Sequence, residues 1–192
     1  MRKLAILTFQ TLDGVMQAPK EPEEDKSNGF EQGGWADPYW DKVMAQVREE
    51  AMAEPYDLLL GRKTYELFAP HFSNLKVESE GNLLNDATKY VATNTLKKLD
   101  WQNSFPIRGD IAKQVAGLKS QDGPLLQVHG SWQLIQTLLK FDLVDEYRLW
   151  TFPLILGEGK RLFQQGLPPK NLTLLKSAST SNGVGMSIYG RD

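Results

Sequence analysis

The hydrophobic pattern opens with an unbroken apolar run, Leu4 to Phe9, which predicts a buried strand rather than a half-exposed one. Polar residues then dominate from Gln10 to Asp37, punctuated by Gly14, Pro19, Pro22, Gly29, Gly33 and Gly34. Loops of this length inside a compact domain usually carry function. Asp37-Pro38 predicts a helix start, a carboxylate cap followed by proline at the first helical position. Trp40, Val43, Val47 and Ala51 follow at helical spacing and give that helix one apolar face. Asp57 to Leu60 predicts a second buried strand that ends at Gly61. Residues 62–68 predict a brief helix stopped near Pro70, and residues 71–87, without periodicity, read as loop. Lys89 to Thr93 predicts a third strand, and Asp110 caps a helix with Ile111, Val115 and Leu118 on one face. Leu125 to Val128 predicts a fourth strand, running through His129-Gly130 into a helix from Ser131 with Leu134, Ile135, Leu138 and Leu139 inward. Glu146 to Phe152 is a fifth strand. Leu172 to Tyr189 reads as a hairpin turned by residues 180–183, with Val184, Met186 and Ile188 alternating. Strands that alternate with helices and end in a hairpin predict an α/β fold, its sheet mainly parallel with a C-terminal antiparallel hairpin. A chain of 192 residues suits a single domain over 1–192.

Composition narrows the functional classes. A net charge of -2 gives no electrostatic case for nucleic acid or an anionic membrane surface. The chain has no cysteine, which excludes disulfides, thiolate nucleophiles and cysteine-ligated zinc, and fits a reducing compartment such as the cytoplasm. The N-terminal apolar run is too short for a signal peptide, and no stretch reaches the roughly 18 apolar residues of a spanning helix. His71 and His129 have no partner at metal-ligand spacing, so no metal site is expected.

Two tempting motifs fail on spacing. Gly157-Glu158-Gly159-Lys160 lacks the outer glycine and the Ser or Thr of a phosphate-binding loop, since Leu154 and Arg161 stand there. His129-Gly130-Ser131-Trp132-Gln133 lacks the flanking glycines of a hydrolase elbow. What survives is an architecture used twice: a buried strand ends in glycine and a helix starts at once, at Gly61-Arg62-Lys63-Thr64 and at Gly130-Ser131. Each presents backbone N–H groups at the carboxyl end of a strand, where open α/β sheets bind ligands. Arg62 and Lys63 add cationic donors and Thr64 a hydroxyl, a set suited to a dinucleotide's phosphates. Ordinary glycine turns with solvated cations remain the alternative.

Thr11-Leu12-Asp13-Gly14 followed by Gly61-Arg62-Lys63-Thr64-Tyr65-Glu66 resembles the dihydrofolate reductase fold. The later run is similar to a narrower group. His129-Gly130-Ser131, residues 143–149 and residues 153–159 resemble the C-terminal reductase domain of the bifunctional riboflavin-biosynthesis deaminase/reductase and its stand-alone bacterial relatives. The resemblance implies a three-layer α/β/α sandwich, NADPH as cofactor, a homodimer, and hydride transfer to a small heterocyclic (pteridine- or pyrimidine-like) or carbonyl substrate. It places the cofactor phosphates on Gly61, Arg62, Lys63, Thr64, Gly130 and Ser131, the adenosine phosphate near Thr93 and Asn94, and the nicotinamide near Asp13 and Gly14. Relatives often carry an unusual peptide bond between paired glycines at 130–131; Ser131 in the second place argues against a cis bond in this chain. Asp37 and Asp41 lie where dihydrofolate reductases carry their acidic residue and are the catalytic candidates, with Asp37 equally readable as a helix cap. Trp35, after Gly33-Gly34, and His129, where riboflavin reductases tend to carry an acid, are the substrate-side candidates. The alternative function is an NADP-binding sensor or scaffold module without turnover.

Overall fold

The computed structural model describes residues 1–51, 54–74 and 81–191, with the backbone alone at 48, 81 and 82. The chain divides into two compact units, Met1–Ile6 with Glu54–Val144, and Leu7–Ala53 with Asp145–Asp192. Strand β1 (Leu4–Thr11) contributes to both.

The first unit is parallel. It holds β2 (Tyr56–Gly61), α2 (Arg62–Phe72), α3 (Gly81–Asp86), β3 (Lys89–Ala92), β4 (Ser104–Ile107), α4 (Ile111–Ser120), β5 (Leu125–Val128) and α5 (Trp132–Lys140). Leu4–Ile6 of β1 pairs with β5, β5 with β2, β2 with β3, and β3 with β4, every pair parallel. All carboxyl ends therefore share one edge, with Gly61, Ala92 and Ile107 level in register. All six residues of β2 are buried, as the continuous apolar run requires of a strand covered on both faces. Leu134, Ile135, Leu138 and Leu139 are buried on α5, and Asp110 caps α4 by accepting from the Lys113 N–H at 3.1 Å.

Three expectations change in this unit. Helix α2 does not stop at Pro70 but runs through it to Phe72. Proline there removes one N–H only in the last turn, and Ser73 N still donates to Ala69 O at 3.1 Å. Residues 81–86 form a helix where the lack of periodicity predicts loop, and residues 75–80 lie outside the described residues. Strand β4 has no counterpart in the hydrophobic pattern, because Ser-Phe-Pro-Ile is short, carries a proline and exposes its middle residues, as an edge strand can.

The second unit holds the Leu7–Thr11 end of β1, the loop 12–36, α1 (Trp40–Ala51), β6 (Glu146–Phe152), β7 (Leu172–Ser179) and β8 (Gly185–Arg191). Strands β6 and β8 pair antiparallel, as do β8 and β7, the latter with a bulge between Leu174 and Lys176. Val43, Val47 and Ala51 of α1 pack with Leu7, Trp150, Phe152, Met186 and Ile188 into one core. Asp37 does not cap α1: Asp37–Tyr39 is a 3-10 turn of its own, preceding the helix. The strands thus make the mixed α/β fold that the hydrophobic pattern predicts, parallel first and closed by a C-terminal antiparallel hairpin. Among the described residues no helix is long and apolar enough to cross a membrane.

Candidate functional site

The two glycine-ended strands are neighbours in the first unit, Leu58 lying level with Gln127. Their ends interlock. Gly61 N donates to Gly130 O at 3.1 Å. A Cβ at Gly61 would collide with the Ser131 hydroxyl and stand 2.9 Å from Ser131 N. A Cβ at Gly130 would stand 2.7 Å from Thr64 Oγ1, and Gly130 has φ +141°, a backbone setting side chains rarely adopt. Both glycines are thus required by the close approach of the two turns. The peptide bond between Gly130 and Ser131 is cis, which corrects the expectation drawn from the serine.

Helices α2 and α5 begin directly behind this contact. Their capping residues, Gly61 and Ser131, are extended (ψ 159° and 168°) and place no side-chain acceptor on the first turn. The leading N–H groups of a helix have no intrahelical partner and carry the positive end of its dipole, so two such ends side by side favour an anion. Arg62 and Lys63 are exposed at the start of α2, and Arg62 Nη1 lies 3.2 Å from Glu66 Oε1 one turn on. Thr64 is half-buried, with its hydroxyl against Gly130.

The loop after β3 stands next to this cradle, because Ala92 is level with Gly61. Thr93 is buried, and its hydroxyl accepts from Thr95 N at 3.2 Å and Leu96 N at 3.1 Å. Asn94 Oδ1 accepts from Gly109 N at 3.0 Å. Arg108 spans the loop, donating from Nη1 to Thr93 O at 3.2 Å and from Nη2 to Leu96 O at 2.5 Å. Sequence reasoning missed Arg108, since only recognition of β4 would have placed it at a strand end. His129, on the carboxyl side of β5, holds its Nε2 3.1 Å from Gln127 Oε1 and meets the Phe68 ring edge-on at 6.2 Å.

The remaining candidates belong to the second unit. Asp13 and Gly14 form a tight turn, with Gly14 N donating to Thr11 O at 2.9 Å. The Asp13 carboxylate accepts from Thr11 Oγ1 at 2.5 Å, Gly157 N at 2.9 Å and Leu156 N at 3.2 Å, and pairs with Arg161 at 3.3 Å. Burial pushes this carboxyl up, but the hydrogen bonds from Thr11 and the backbone outweigh it and hold the group below its ordinary value. Asp13 therefore stays charged and ties the turn to the segment after β6. Trp35 is 8% exposed, donates from Nε1 to Gln17 O at 2.8 Å and meets Phe152 edge-on at 5.1 Å. It packs in the core of the second unit. Trp40 is half-buried, against Phe9 at 5.4 Å and beneath the Lys20 ammonium at 4.7 Å. Asp37 pairs with Lys20 at 2.8 Å with its side chain 65% exposed, and Asp41 is exposed on the first turn of α1. The fold thus gathers Gly61–Thr64, Thr93–Asn94 and His129–Ser131 along one strand edge, and leaves Asp13, Gly14, Trp35, Asp37 and Asp41 to the other unit.

A match to the RibD C-terminal domain model runs from residue 2 to residue 186. The chain belongs to the RibD C-terminal domain family. Within curated proteins it is similar to the uncharacterized protein YyaP of Bacillus subtilis (strain 168), 34% identical over 136 residues, which cover 69% of this chain and 72% of that one. It is also similar to the uncharacterized protein YwjB of the same organism, 28% identical over 108 residues, covering 56% of this chain and 58% of that one. A solved structure from Shewanella sp. PV-4, whose name assigns it provisionally to riboflavin biosynthesis, superposes with a TM-score of 0.67 at 20% identity. The superposition covers 100% of this chain and 99% of the other, and at that identity it shows the fold alone.

Membership of the RibD C-terminal family supports a reductase-like function and, coarsely, a nicotinamide cofactor. The residues of this RibD C-terminal chain fit such a group. The space that a Cβ at Gly61 or Gly130 would fill is kept narrow by hydroxyls of Ser131 and Thr64, both able to donate to a phosphate oxygen. Among the described residues no set of three or more His, Asp or Glu side chains could hold a metal ion.

Proposed function

We propose that the protein is an NADPH-dependent reductase that transfers hydride to a small heterocyclic or carbonyl substrate, working as a cytoplasmic homodimer. One observation carries the reading: the interlocked Gly61 and Gly130 turns, with two helices starting behind them and no side-chain cap on either. Thr64 and Ser131 would donate to the pyrophosphate through hydroxyls and the leading N–H groups of the helices, with Gly61 and Gly130 required for the close approach of the two turns. Arg62 and Lys63 would balance its charge, and Thr93 and Asn94 would flank the adenosine end. NADPH, when bound, supplies the hydride; the protein supplies position and excludes water. Of the three candidate acids, Asp13 is held charged, Asp37 is engaged with Lys20 in solvent, and Asp41 is exposed. The proton accordingly comes from water.

Titration with NADPH and with NADH, followed by tryptophan fluorescence, tests the cofactor half. NADPH should bind at micromolar to sub-millimolar concentrations, and no response to either at millimolar levels ends the proposal. The exposure of Asp37 and Asp41 favours one second reading, a binding module without turnover. Tight NADPH binding with no consumption of NADPH across a panel of pteridines, pyrimidines and small carbonyl compounds would select it.

A further inference from the structure

Asparagine followed by glycine is open to spontaneous deamidation, because glycine puts no side chain between its backbone nitrogen and the asparagine carboxamide. The chain contains this pair twice in matched settings, Ser27-Asn28-Gly29-Phe30 and Ser181-Asn182-Gly183-Val184. In both a buried apolar residue follows the glycine, and the glycine has a positive φ, 75° at Gly29 and 89° at Gly183. The surroundings of the two asparagines differ. Asn182 is half-buried; its Oδ1 accepts from Thr180 Oγ1, and its Nδ2 donates to Tyr39 O at 3.3 Å. Gly183 N, the nitrogen that would have to attack, donates to Thr180 O at 3.0 Å within the turn that closes the β7–β8 hairpin. Asn28 and Gly29 are both exposed, and among the described residues the Asn28 carboxamide has no hydrogen-bond partner. Their backbone forms one 3-10 turn of three residues, interrupted at Asn28 itself by φ 63° and ψ 23°. Opening so short an exposed turn costs far less than unravelling the end of a hairpin. Asn28 also lies between two anchors of the loop 12–36. Ser27 meets the Lys160 ammonium through Oγ at 2.6 Å and accepts from Gln17 on its carbonyl at 3.0 Å, while Phe30 packs in the core of the second unit.

We propose that Asn28 is a site of deamidation, that the fold protects Asn182, and that conversion at Asn28 loosens the loop 12–36. Solvent hydroxide takes the proton of Gly29 N, and that nitrogen attacks Asn28 Cγ. A C–N bond forms, the bond from Cγ to Nδ2 breaks, and the side-chain nitrogen takes a proton from water and leaves as ammonia. Water then opens the cyclic imide at either carbonyl, giving aspartate or isoaspartate with no change of oxidation state. Isoaspartate routes the main chain through Cβ, so the link between the anchored Ser27 and Phe30 lengthens by one atom. The test ages the folded protein, and the same protein unfolded in guanidinium chloride, at mildly alkaline pH. Tryptic peptides 27–42 and 177–191, each with a single asparagine, are then followed by mass spectrometry for the change from amide to acid. In the unfolded chain the two should convert at similar rates. In the folded protein 27–42 should convert, and 177–191 should lag behind it by roughly tenfold or more. Brief digestion of the aged, still folded protein should cut faster at Lys20 and Lys26 than digestion of fresh protein. Asn28→Gly accepts the positive φ and has no amide to lose, so its cleavage should not change with age. Equal conversion of the two peptides in the folded protein, or none in 27–42, overturns the site. Conversion of 27–42 with unchanged cleavage, or the same gain in cleavage on ageing Asn28→Gly, overturns the loosening of the loop.

Discussion

At the scale of single residues, the site depends on two missing side chains. Gly130 has φ +141° and faces Thr64 Oγ1, so an alanine there meets both an unfavourable backbone setting and a hydroxyl 2.7 Å away. Gly130→Ala should destabilise the protein by about 1–3 kcal/mol in urea unfolding and weaken cofactor binding with it. Gly117, in the middle of α4, has open space around its Cβ position. Gly117→Ala should therefore stabilise by about 0.5–1 kcal/mol and leave binding unchanged. If both substitutions act alike on stability, the close approach at Gly130 is not what holds the turn. The glycines themselves were legible in the sequence, because a strand-glycine-helix pattern needs only local rules. The cis bond after Gly130 and the burial of Trp35 were not. The first replaces an expectation built on the neighbouring residue type, and the second depends on Gln17 and Phe152, which are far from Trp35 in sequence.

Among elements, the loop 12–36 is held by two carboxylates that meet adjacent basic residues. Asp13 takes Arg161, and Asp25 takes Lys160 at 2.5 Å. The Lys160 ammonium also donates to Ser27 Oγ at 2.6 Å, and Gln17 donates to the carbonyls of Asp25 and Ser27. Lys160 and Asp25 are only 16% and 18% exposed, so each would be costly without the other. Burial alone would raise the Asp25 carboxyl; the hydrogen bonds from Lys160 and Ser27 more than reverse this and bring it to about 2. A carboxyl depressed in the folded state adds stability that is complete above its ordinary value of 3.8 and is lost as the pH falls toward 2. Asp25→Asn should cost about 2 kcal/mol at neutral pH and expose the loop to trypsin at Lys20 and Lys26. Unchanged cleavage rates would mean the loop is held by other contacts. Sequence periodicity located α1, α5, β2 and β6 well, because each buries a face or a run. It was silent on this clasp and on β4, since neither buries a repeating apolar face.

For the molecule as a whole, the order of strands and helices carried the fold class, but stability has a feature that composition conceals. Lys89 is fully buried, its ammonium donating to Asn85 O and Ala87 O at 2.8 Å each and lying 4.5 Å from the Trp101 ring centre. Burial lowers its pKa from 10.5 to about 8, with Asp86 and Asp57 opposing that change in part. A neutral amine still has two N–H groups, so both carbonyls keep a donor when the proton leaves. Between pH 8 and 10.5 the unfolded chain holds this proton more firmly than the folded one, so stability should rise with pH in that window. Below pH 8 both states are protonated and the contribution is flat. Tyr56 acts oppositely: burial raises its phenol from 10.0 to about 12, so the folded state resists its ionisation and loses stability above pH 10. The net expectation from these two groups is a maximum near pH 10, about 2 kcal/mol above the value at pH 8, since each tenfold difference in proton affinity between the two states is worth about 1.4 kcal/mol. Urea unfolding from pH 7 to pH 11 measures it directly. Lys89→Met should remove the rise while leaving the fall above pH 10, and Tyr56→Phe should remove the fall while leaving the rise. A profile of the wild type that only declines above pH 8 would show that Lys89 remains charged in the folded protein, held by its two carbonyls and the Trp101 ring.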